Sequence, residues 1–259
     1  MLLAQNIQVT LGRTQILRDV EFSAEPGALT AIVGPNGSGK TTLLRALTQE
    51  VPYRGRVLLD GDDIAALKPW QLAARRGVLP QASRIAFPFN VREVVRLGLT
   101  AGQSGMRRDL PEQALERVGL AGFESRYYAE LSGGEQQRVQ LARVLCQVWE
   151  PTFEGRPRWL FLDEPVSSLD IAHQLDVMGI AQDFARGGGG VVAVMHDLNL
   201  TAMFADKIAV MHQGRLVADG TPQEVMTDAT LSRVYECDLS VNQSPGPEAT
   251  YILPHTALR

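Results

Sequence analysis

Cysteine is scarce in this chain, which contains only Cys146 and Cys237 among its 259 residues. Two thiols provide no disulfide framework, and neither has His or Cys neighbours at the spacing of a metal site. The sequence therefore predicts that both cysteines are packing residues. It also makes a reducing cytoplasm the expected compartment.

The chain also lacks any apolar run approaching the ~20 residues that a membrane-spanning helix needs. Residues 1–6 lack the charged start and the long apolar stretch of a signal peptide. Positive charge is not in excess, since the net charge is -4 and the isoelectric point is near 5.6. A broad nucleic-acid surface would be basic, so nucleic acid is not an expected partner.

A glycine-rich loop of the pattern G-x-x-x-x-G-K-[ST] is the most informative motif that the sequence contains. An apolar, β-prone run (29–33) precedes it and a helical pattern (42–47) follows it, which is the context in which this pattern binds a polyphosphate. A chance Gly-rich turn would not require that context. The sequence predicts nucleoside triphosphate binding through backbone N–H groups and a helix N-terminus. The predicted binding residues are Gly34, Pro35, Asn36, Gly37, Ser38, Gly39, Lys40, Thr41 and Thr42.

Two residues of this loop have individual predicted roles. Lys40 would reach the β- and γ-phosphates, and the Thr41 hydroxyl would ligate Mg²⁺.

Two adjacent carboxylates, Asp163 and Glu164, follow an apolar strand predicted over 158–162. Because side chains alternate along a strand, the two carboxylates should face different directions and can perform different tasks. Asp163 would hold Mg²⁺, and Glu164 would be the base that activates the attacking water. A simple strand end of the type Asp-Glu-Pro is the alternative.

Three further segments complete an ordered set of polar motifs. Ser132, Gly133, Gly134 and Glu135 precede a predicted helix and can form either an anion site or an ordinary helix cap. Ser167 to Asp170 follows the carboxylates, and a helix is predicted over 171–186. His196 ends a strand predicted over 191–195.

This ordered set resembles the ATP-binding cassette (ABC) ATPases over nearly the whole chain. The resemblance implies that Gln81 touches Mg²⁺ and that His196 contacts the γ-phosphate. It also implies that Ser132 to Glu135 grip the γ-phosphate of ATP bound to the opposite subunit of a homodimer, with Asp170 at the dimer interface. One departure is the position where the family usually stacks an aromatic residue on adenine, because Leu11 stands there.

The resemblance also implies a fold. It predicts an α/β P-loop NTPase core with an antiparallel β subdomain and an inserted α-helical subdomain. The whole chain, 1–259, would be one domain, with the core and β subdomain in about 1–90 and 151–240 and the helical subdomain in about 91–150. The sequence patterns are consistent with this fold, since polar and apolar residues alternate over 2–28. Helical periodicity dominates 91–147, with a loop at 102–105.

Within the family, the chain is most similar to the ATPases of iron-siderophore, haem and vitamin B12 importers. The similar stretches are 78–95, 169–174 and 196–200, and the extra residues 150–157 resemble those of the haem importers. His173, His212 and His255 are scattered along the sequence, so they are not expected to bind haem. The alternatives of another class are an ABC ATPase acting on nucleic acid and a GTPase, and a GTPase would leave the 132–135 motif unexplained.

The resemblance implies partners as well. These are a second copy of the chain, two copies of a transmembrane permease and, indirectly, a periplasmic substrate-binding protein. The expected location is then the cytoplasmic face of the bacterial inner membrane, as a peripheral subunit. Gln81 and residues 86–90 are predicted to form the groove that receives the permease, because Phe87 and Phe89 are apolar and Pro88 stiffens the turn between them. The alternative is that both rings pack inside the helical lobe.

Overall fold

The computed structural model describes residues 1–81, 85, 87–101, 107–244, 246 and 248–257. Its strands are β1 Leu2–Leu11, β2 Thr14–Ala24, β3 Leu29–Val33, β4 Arg54–Leu59, β5 Asp62–Asp63, β6 Arg76–Leu79, β7 Thr152–Phe153, β8 Arg156–Pro157, β9 Trp159–Asp163, β10 Gly190–Val194, β11 Lys207–His212 and β12 Arg215–Gly220. Its α-helices are α1 Lys40–Leu47, α2 Pro69–Arg75, α3 Val91–Ala101, α4 Leu110–Arg117, α5 Gly133–Gln147, α6 Ile171–Arg186, α7 Leu198–Phe204, α8 Pro222–Val225 and α9 Asp228–Tyr235. No helix within these ranges is long and apolar enough to cross a membrane.

A six-stranded sheet forms the centre of the molecule, in the order β12-β11-β3-β10-β9-β6. All neighbours pair in parallel except β12, which is antiparallel to β11. Every residue of β3, β9 and β10 is buried, as expected for parallel strands with both faces covered. In the register, Val194 pairs with both Ile32 and Asp163, so the carboxyl ends of these three strands lie at the same edge.

The sheet register decides where the polar motifs meet. The glycine loop follows β3, Glu164 follows β9 and His196 follows β10. Ligand sites of parallel α/β sheets lie at the carboxyl ends of the strands. Three motifs that are far apart in sequence therefore converge at one edge.

A second sheet, in the order β2-β1-β4-β5, is antiparallel. Its β1–β2 hairpin runs from the Leu2–Ala24 pair to the Leu11–Thr14 pair. Alternate residues of β1 and β2 are buried and pack with the apolar face of α1 in one cluster. The antiparallel strands predicted for residues 2–28 are confirmed.

Three helices, α3, α4 and α5, pack together between β6 and β9 in the chain. Gly98 of α3 allows a close crossing, because a Cβ there would lie 2.0 Å from the carbonyl oxygen of Arg143 in α5. The predicted loop at 102–105 lies outside the described residues. The α/β class, the antiparallel sheet and the inserted helices are all as the sequence predicted.

Candidate active site

The glycine loop connects β3 to α1 as expected, although the helix begins at Lys40 rather than at Thr42. Gly34, Gly37 and Gly39 all have positive φ, in a region that residues with side chains rarely adopt. Gly34 is also tightly packed, since a Cβ there would lie 2.1 Å from the carbonyl oxygen of Met211. The glycine loop therefore has a backbone conformation in which its N–H groups can face a ligand.

Lys40 is buried at the start of α1, with 6% of its surface exposed. Its Nζ donates to the carbonyl oxygens of Gly34, at 2.8 Å, and of Pro35, at 3.1 Å. Burial lowers the pKa of Lys40, while the negative charges of Glu164 and Asp163 act in the opposite direction. A buried ammonium facing a cavity is suited to bind an anion.

Ser38 adds an unused polar group to the same loop. Its Oγ is buried and has no hydrogen-bond partner among the described residues. A Cβ at Gly34 would lie 2.9 Å from this oxygen, so it faces the interior of the loop, and Ser38 is not among the residues that line the cavity described below.

Thr41 and Asp163 meet across the strand ends, with 3.0 Å between Thr41 Oγ1 and Asp163 Oδ1. Asp163 is only 2% exposed, and this burial raises its pKa. The Thr41 hydrogen bond lowers the pKa, and the charge of Glu164 raises it further. Two oxygen donors at a buried carboxylate fit a hard cation such as Mg²⁺, whose charge would offset the burial.

Glu164 and His196 form the other pair at this edge, with 2.7 Å between Glu164 Oε1 and His196 Nε2. The Glu164 side chain is 14% exposed and that of His196 is 43% exposed. Asp163 and Glu164 do face different partners, as strand alternation predicted. However, β9 ends at Asp163, and Glu164 has a left-handed backbone with φ of 51°.

One cavity of about 270 Å³ joins the glycine loop to the Glu164–His196 pair, and we call it the nucleotide cavity. It is lined by Ile16, Asn36, Gly37, Gly39, Lys40, Thr41, Thr42, Glu164 and His196. Sequence reasoning missed Ile16, which reaches the cavity from β2. Leu11 is 45% exposed and is not among the residues that line it.

The 132–135 segment lines a different cavity of about 520 Å³, which we call the signature cavity. It begins α5 with a reciprocal cap, in which the Glu135 N–H donates to Ser132 Oγ and the Ser132 N–H donates to Glu135 Oε2. The hydrogen bonds from Ser132 lower the pKa of Glu135. The complete lining is Ser132, Gly133, Gly134, Glu135, Arg138, Ser168, Leu169, Asp170 and His173.

Asp170 caps α6, where Asp170 Oδ1 accepts hydrogen bonds from the backbone N–H of His173. His173 Nδ1 lies 2.8 Å from the same oxygen. Of the other histidines, His212 ends β11 and His255 lies in the 3₁₀ turn Pro254–Thr256.

Gln81 lines a third cavity of about 160 Å³, together with Gln137 and Ser168, and not the nucleotide cavity. Phe87 is 71% exposed, whereas Phe89 is partly buried against the core. The centroids of the two rings are 5.9 Å apart. Ala86, which belongs to the predicted groove, lies outside the described residues.

Comparison with known proteins agrees with this geometry. Residues 17–167 match the family model of the ABC transporter. The chain is 68% identical to the hemin import ATP-binding protein HmuV of Jannaschia sp. (strain CCS1), with 100% of this chain and 96% of that protein covered. It is 60% identical to the protein of the same name from Roseobacter denitrificans (strain ATCC 33942 / OCh 114), with 99% and 98% covered.

A solved ATP-binding subunit of an ABC transporter has the same fold, with a TM-score of 0.76 and 22% identity over 92% of this chain and 94% of that chain. The family match covers more than half of the chain and includes the glycine loop, the 132–135 segment and both carboxylates. The chain belongs to the ABC transporter family.

Proposed function

We propose that this protein is the ATP-hydrolysing subunit of an importer that takes up haem across the bacterial inner membrane. The observation that carries the ATPase part is the nucleotide cavity, where the glycine loop, the Thr41–Asp163 pair and the Glu164–His196 pair meet. The observation that carries the cargo is full-length identity of 68% to a protein named for hemin import.

ATP would bind with its phosphates against the glycine loop, Gly34 to Gly39, and the first residues of α1, Lys40 to Thr42. The open backbone at Gly37 and the buried Lys40 ammonium both support this placement. Ile16 lines the cavity and offers an apolar contact for the base, whereas Leu11, at the position of the family's usual aromatic residue, does not line it.

Mg²⁺ would be held by Thr41 and Asp163, whose oxygens lie 3.0 Å apart. Gln81 is the third proposed ligand. This assignment rests only on the ability of its amide oxygen to coordinate a cation, because Gln81 does not line the nucleotide cavity. When bound, Mg²⁺ supplies positive charge that stabilises the negative charge developing on the phosphates.

Glu164 would act as the general base. Its carboxylate is anchored to His196 at 2.7 Å and remains accessible from the cavity, so it can accept a proton from a water placed in line with the γ-phosphate. His196 is the more exposed partner, and its ring can donate to a γ-phosphate oxygen.

The second set of contacts would come from a second copy of the chain. Ser132 to Glu135 and Asp170 line the signature cavity, which shares no residue with the nucleotide cavity. A head-to-tail homodimer would place the signature cavity of one chain over the nucleotide cavity of the other. The exposed helix N-terminus at Ser132 would then face the γ-phosphate.

The proposed assembly contains this homodimer, two permease subunits and, indirectly, a periplasmic binding protein, and the chain would lie at the cytoplasmic face of the membrane. The exposed Phe87 supports a permease contact beside Gln81. In this proposal the chain is one domain, with about 1–90 and 151–240 forming the core and β subdomain and about 91–150 the helical subdomain.

The function is tested by deleting the gene in a strain without a redundant importer and supplying haem as the iron source. Growth should fail and should be restored by the wild-type gene but not by the Lys40→Ala variant. Unchanged growth on haem would contradict the cargo. Loss of growth on ferric siderophore or of vitamin B12 uptake instead would assign one of those cargoes.

A further inference from the structure

The backbone of Glu164 is strained, because a left-handed φ of 51° costs free energy for any residue with a side chain. Such a conformation persists only where surrounding contacts hold it. In this conformation the carboxylate lies 2.7 Å from His196 Nε2. The contacts that hold the Glu164 backbone therefore control the orientation of the proposed base.

Several hydrogen bonds hold this backbone. The Glu164 N–H donates to the carbonyl oxygen of Val194 at 3.2 Å, which ties the residue to β10. The Glu164 carbonyl oxygen accepts from Ser167 Oγ at 3.2 Å and from the Ser167 N–H at 3.4 Å, which are local turn contacts. It also accepts from Gln137 Nε2 at 2.9 Å. Among these bonds to the carbonyl, the one from Gln137 is the shortest and comes from another element, α5.

Close packing of α5 makes this contact possible. At Gly134 a Cβ would lie 3.0 Å from the carbonyl oxygen of Ser168 and 3.1 Å from Leu169 Cδ2. A larger residue would therefore push the start of α5 away from the 167–169 turn. Gln137 lies three residues later on the same helix, where it faces the Glu164 carbonyl.

The Gln137 amide makes one hydrogen bond among the described residues, which is the bond to the Glu164 carbonyl oxygen. A carbonyl only accepts hydrogen bonds, so the amide must point its NH₂ group at Glu164. Its Oε1 is then buried without a hydrogen-bond partner among the described residues. Gln137 also lines the third cavity, so the hydrogen bond to the Glu164 carbonyl, rather than packing within a closed core, fixes the orientation of its amide.

We infer that Gln137 is a positioning residue that holds Glu164 in the orientation needed for hydrolysis. The inference rests on the proposed function, in which Glu164 is the base. Because α5 begins with the 132–135 segment, the same hydrogen bond connects that segment to the base within one chain. A shift of α5 would therefore change the orientation of Glu164.

The test compares Gln137→Met with Gln147→Met. Gln147 is a matched control on the same helix, because its buried amide donates to the carbonyl oxygens of Ala73 and Arg76, both at 2.9 Å, and none of these three residues lines the nucleotide cavity. Gln137→Met should lower kcat by about 10- to 100-fold, as small misplacements of catalytic groups do, with ATP affinity unchanged. Gln147→Met should lower the melting temperature to a similar extent and leave kcat within about twofold of the wild type, because it leaves the reacting groups in place.

A double-mutant cycle with Glu164→Gln separates positioning from a general structural effect. With the base already removed, Gln137→Met should cause no further loss of the residual activity, whereas independent effects would multiply. Further loss of the same size in both backgrounds would overturn the inference.

If Gln137→Met does not fold, Gln137→Glu provides the same comparison. It keeps the side-chain shape, and it can donate to the Glu164 carbonyl only when protonated. Its kcat relative to the wild type should recover as the pH falls, and a constant ratio would overturn the inference. If Glu164→Gln itself hydrolyses ATP at the wild-type rate, the proposed base is wrong. If only the Gln137 variants behave like Gln147→Met, this inference fails and the proposed function stands.

Discussion

The nucleotide cavity and the signature cavity differ in the solvent exposure of several charged and polar groups. In the nucleotide cavity Lys40 is 6% exposed, and Asp163, which bonds to the cavity residue Thr41, is 2% exposed. In the signature cavity the Asp170 side chain is 66% exposed, and it already bonds to His173. Ser132 is exposed too and bonds to Glu135.

This difference shows that the acidic groups are desolvated on one side only, since the buried charge of the signature cavity is the Arg138 guanidinium. Burying Lys40 and Asp163 costs free energy in the folded chain, and a bound nucleotide and cation would offset that cost. The exposed groups of the signature cavity carry little desolvation free energy while solvent covers them. They become useful only when another surface excludes the water, which agrees with a site completed by a second chain.

The largest expected effect is on the nucleotide cavity. Glu164→Gln should lower kcat by about 10²- to 10⁴-fold, because it removes the general base while keeping the side-chain shape. ATP affinity should be retained, so dimers should accumulate with ATP trapped between them. Steady-state hydrolysis and size-exclusion chromatography with ATP measure the two effects.

His196→Ala should also lower turnover sharply, since it removes the partner of Glu164. The assignment of the base would be contradicted if Glu164→Gln turned over ATP at near the wild-type rate.

The next prediction tests the signature cavity. Ser132→Arg places bulk in the proposed anion site, so hydrolysis should fall to background while ATP binding to the isolated chain stays unchanged. Binding is measured by titration with a fluorescent ATP analogue, and hydrolysis by phosphate release. Loss of ATP binding in the isolated chain would show that the two cavities are not independent.

Mixing this variant with Lys40→Ala sharpens the test. A mixed dimer retains one composite site with an intact glycine loop and an intact 132–135 segment. Partial recovery of hydrolysis would support a site shared between chains. A mixture as inactive as either variant alone would count against it, unless hydrolysis requires both sites together.

Lys40→Ala should weaken ATP binding by about 10- to 100-fold, the effect of losing one charge-assisted hydrogen bond. The apo protein should lose little stability, because the same change removes a buried charge whose pKa is lowered by burial. Isothermal titration and thermal unfolding measure the two quantities. A large loss of both would indicate that Lys40 supports the fold rather than the ligand.

The smallest expected effect concerns pH. Burial raises the pKa of Asp163, so the folded chain binds this proton more tightly than the unfolded chain. The stability of the apo protein should therefore fall as the pH rises from the ordinary pKa of an aspartate through the raised value. Asp163→Asn should remove this slope and, above that window, raise the melting temperature by about 2–4 °C, the shift that ~1 kcal/mol gives at this size. Unfolding curves recorded from about pH 4, the ordinary pKa of an aspartate, towards higher pH test it.

Much of the fold could be predicted because its periodicity and caps are local. Helix α6 has the predicted bounds of 171–186, since Asp170 caps it and its apolar residues keep a helical spacing. The strand predicted at 158–162 lies one residue later, because Asp163 remains paired with Val194. Residues 150–157 contain a hairpin, β7–β8, which the sequence did not predict because this stretch has no alternation of polar and apolar residues.

The parts of the site that the sequence did not predict depend on tertiary contacts. The left-handed Glu164 and its bond to Gln137 arise where α5 approaches the end of β9, 27 residues away along the chain. Ile16 enters the nucleotide cavity from the antiparallel sheet. No local spacing encodes either approach, whereas the glycine loop could be found because its whole motif is contiguous.

Strand β6 is one of the two edge strands of the central sheet, and among the described residues its four residues pair only with β9. Its first residue is held by the Gln147 amide of α5, and Gln81 lies just beyond its end. An edge strand with one paired side opens more easily than the buried strands at the centre. Amide protons of β6 should therefore exchange with solvent faster than those of β3. Opening at this edge is separated from the glycine loop by strands β9 and β10, because the loop follows β3.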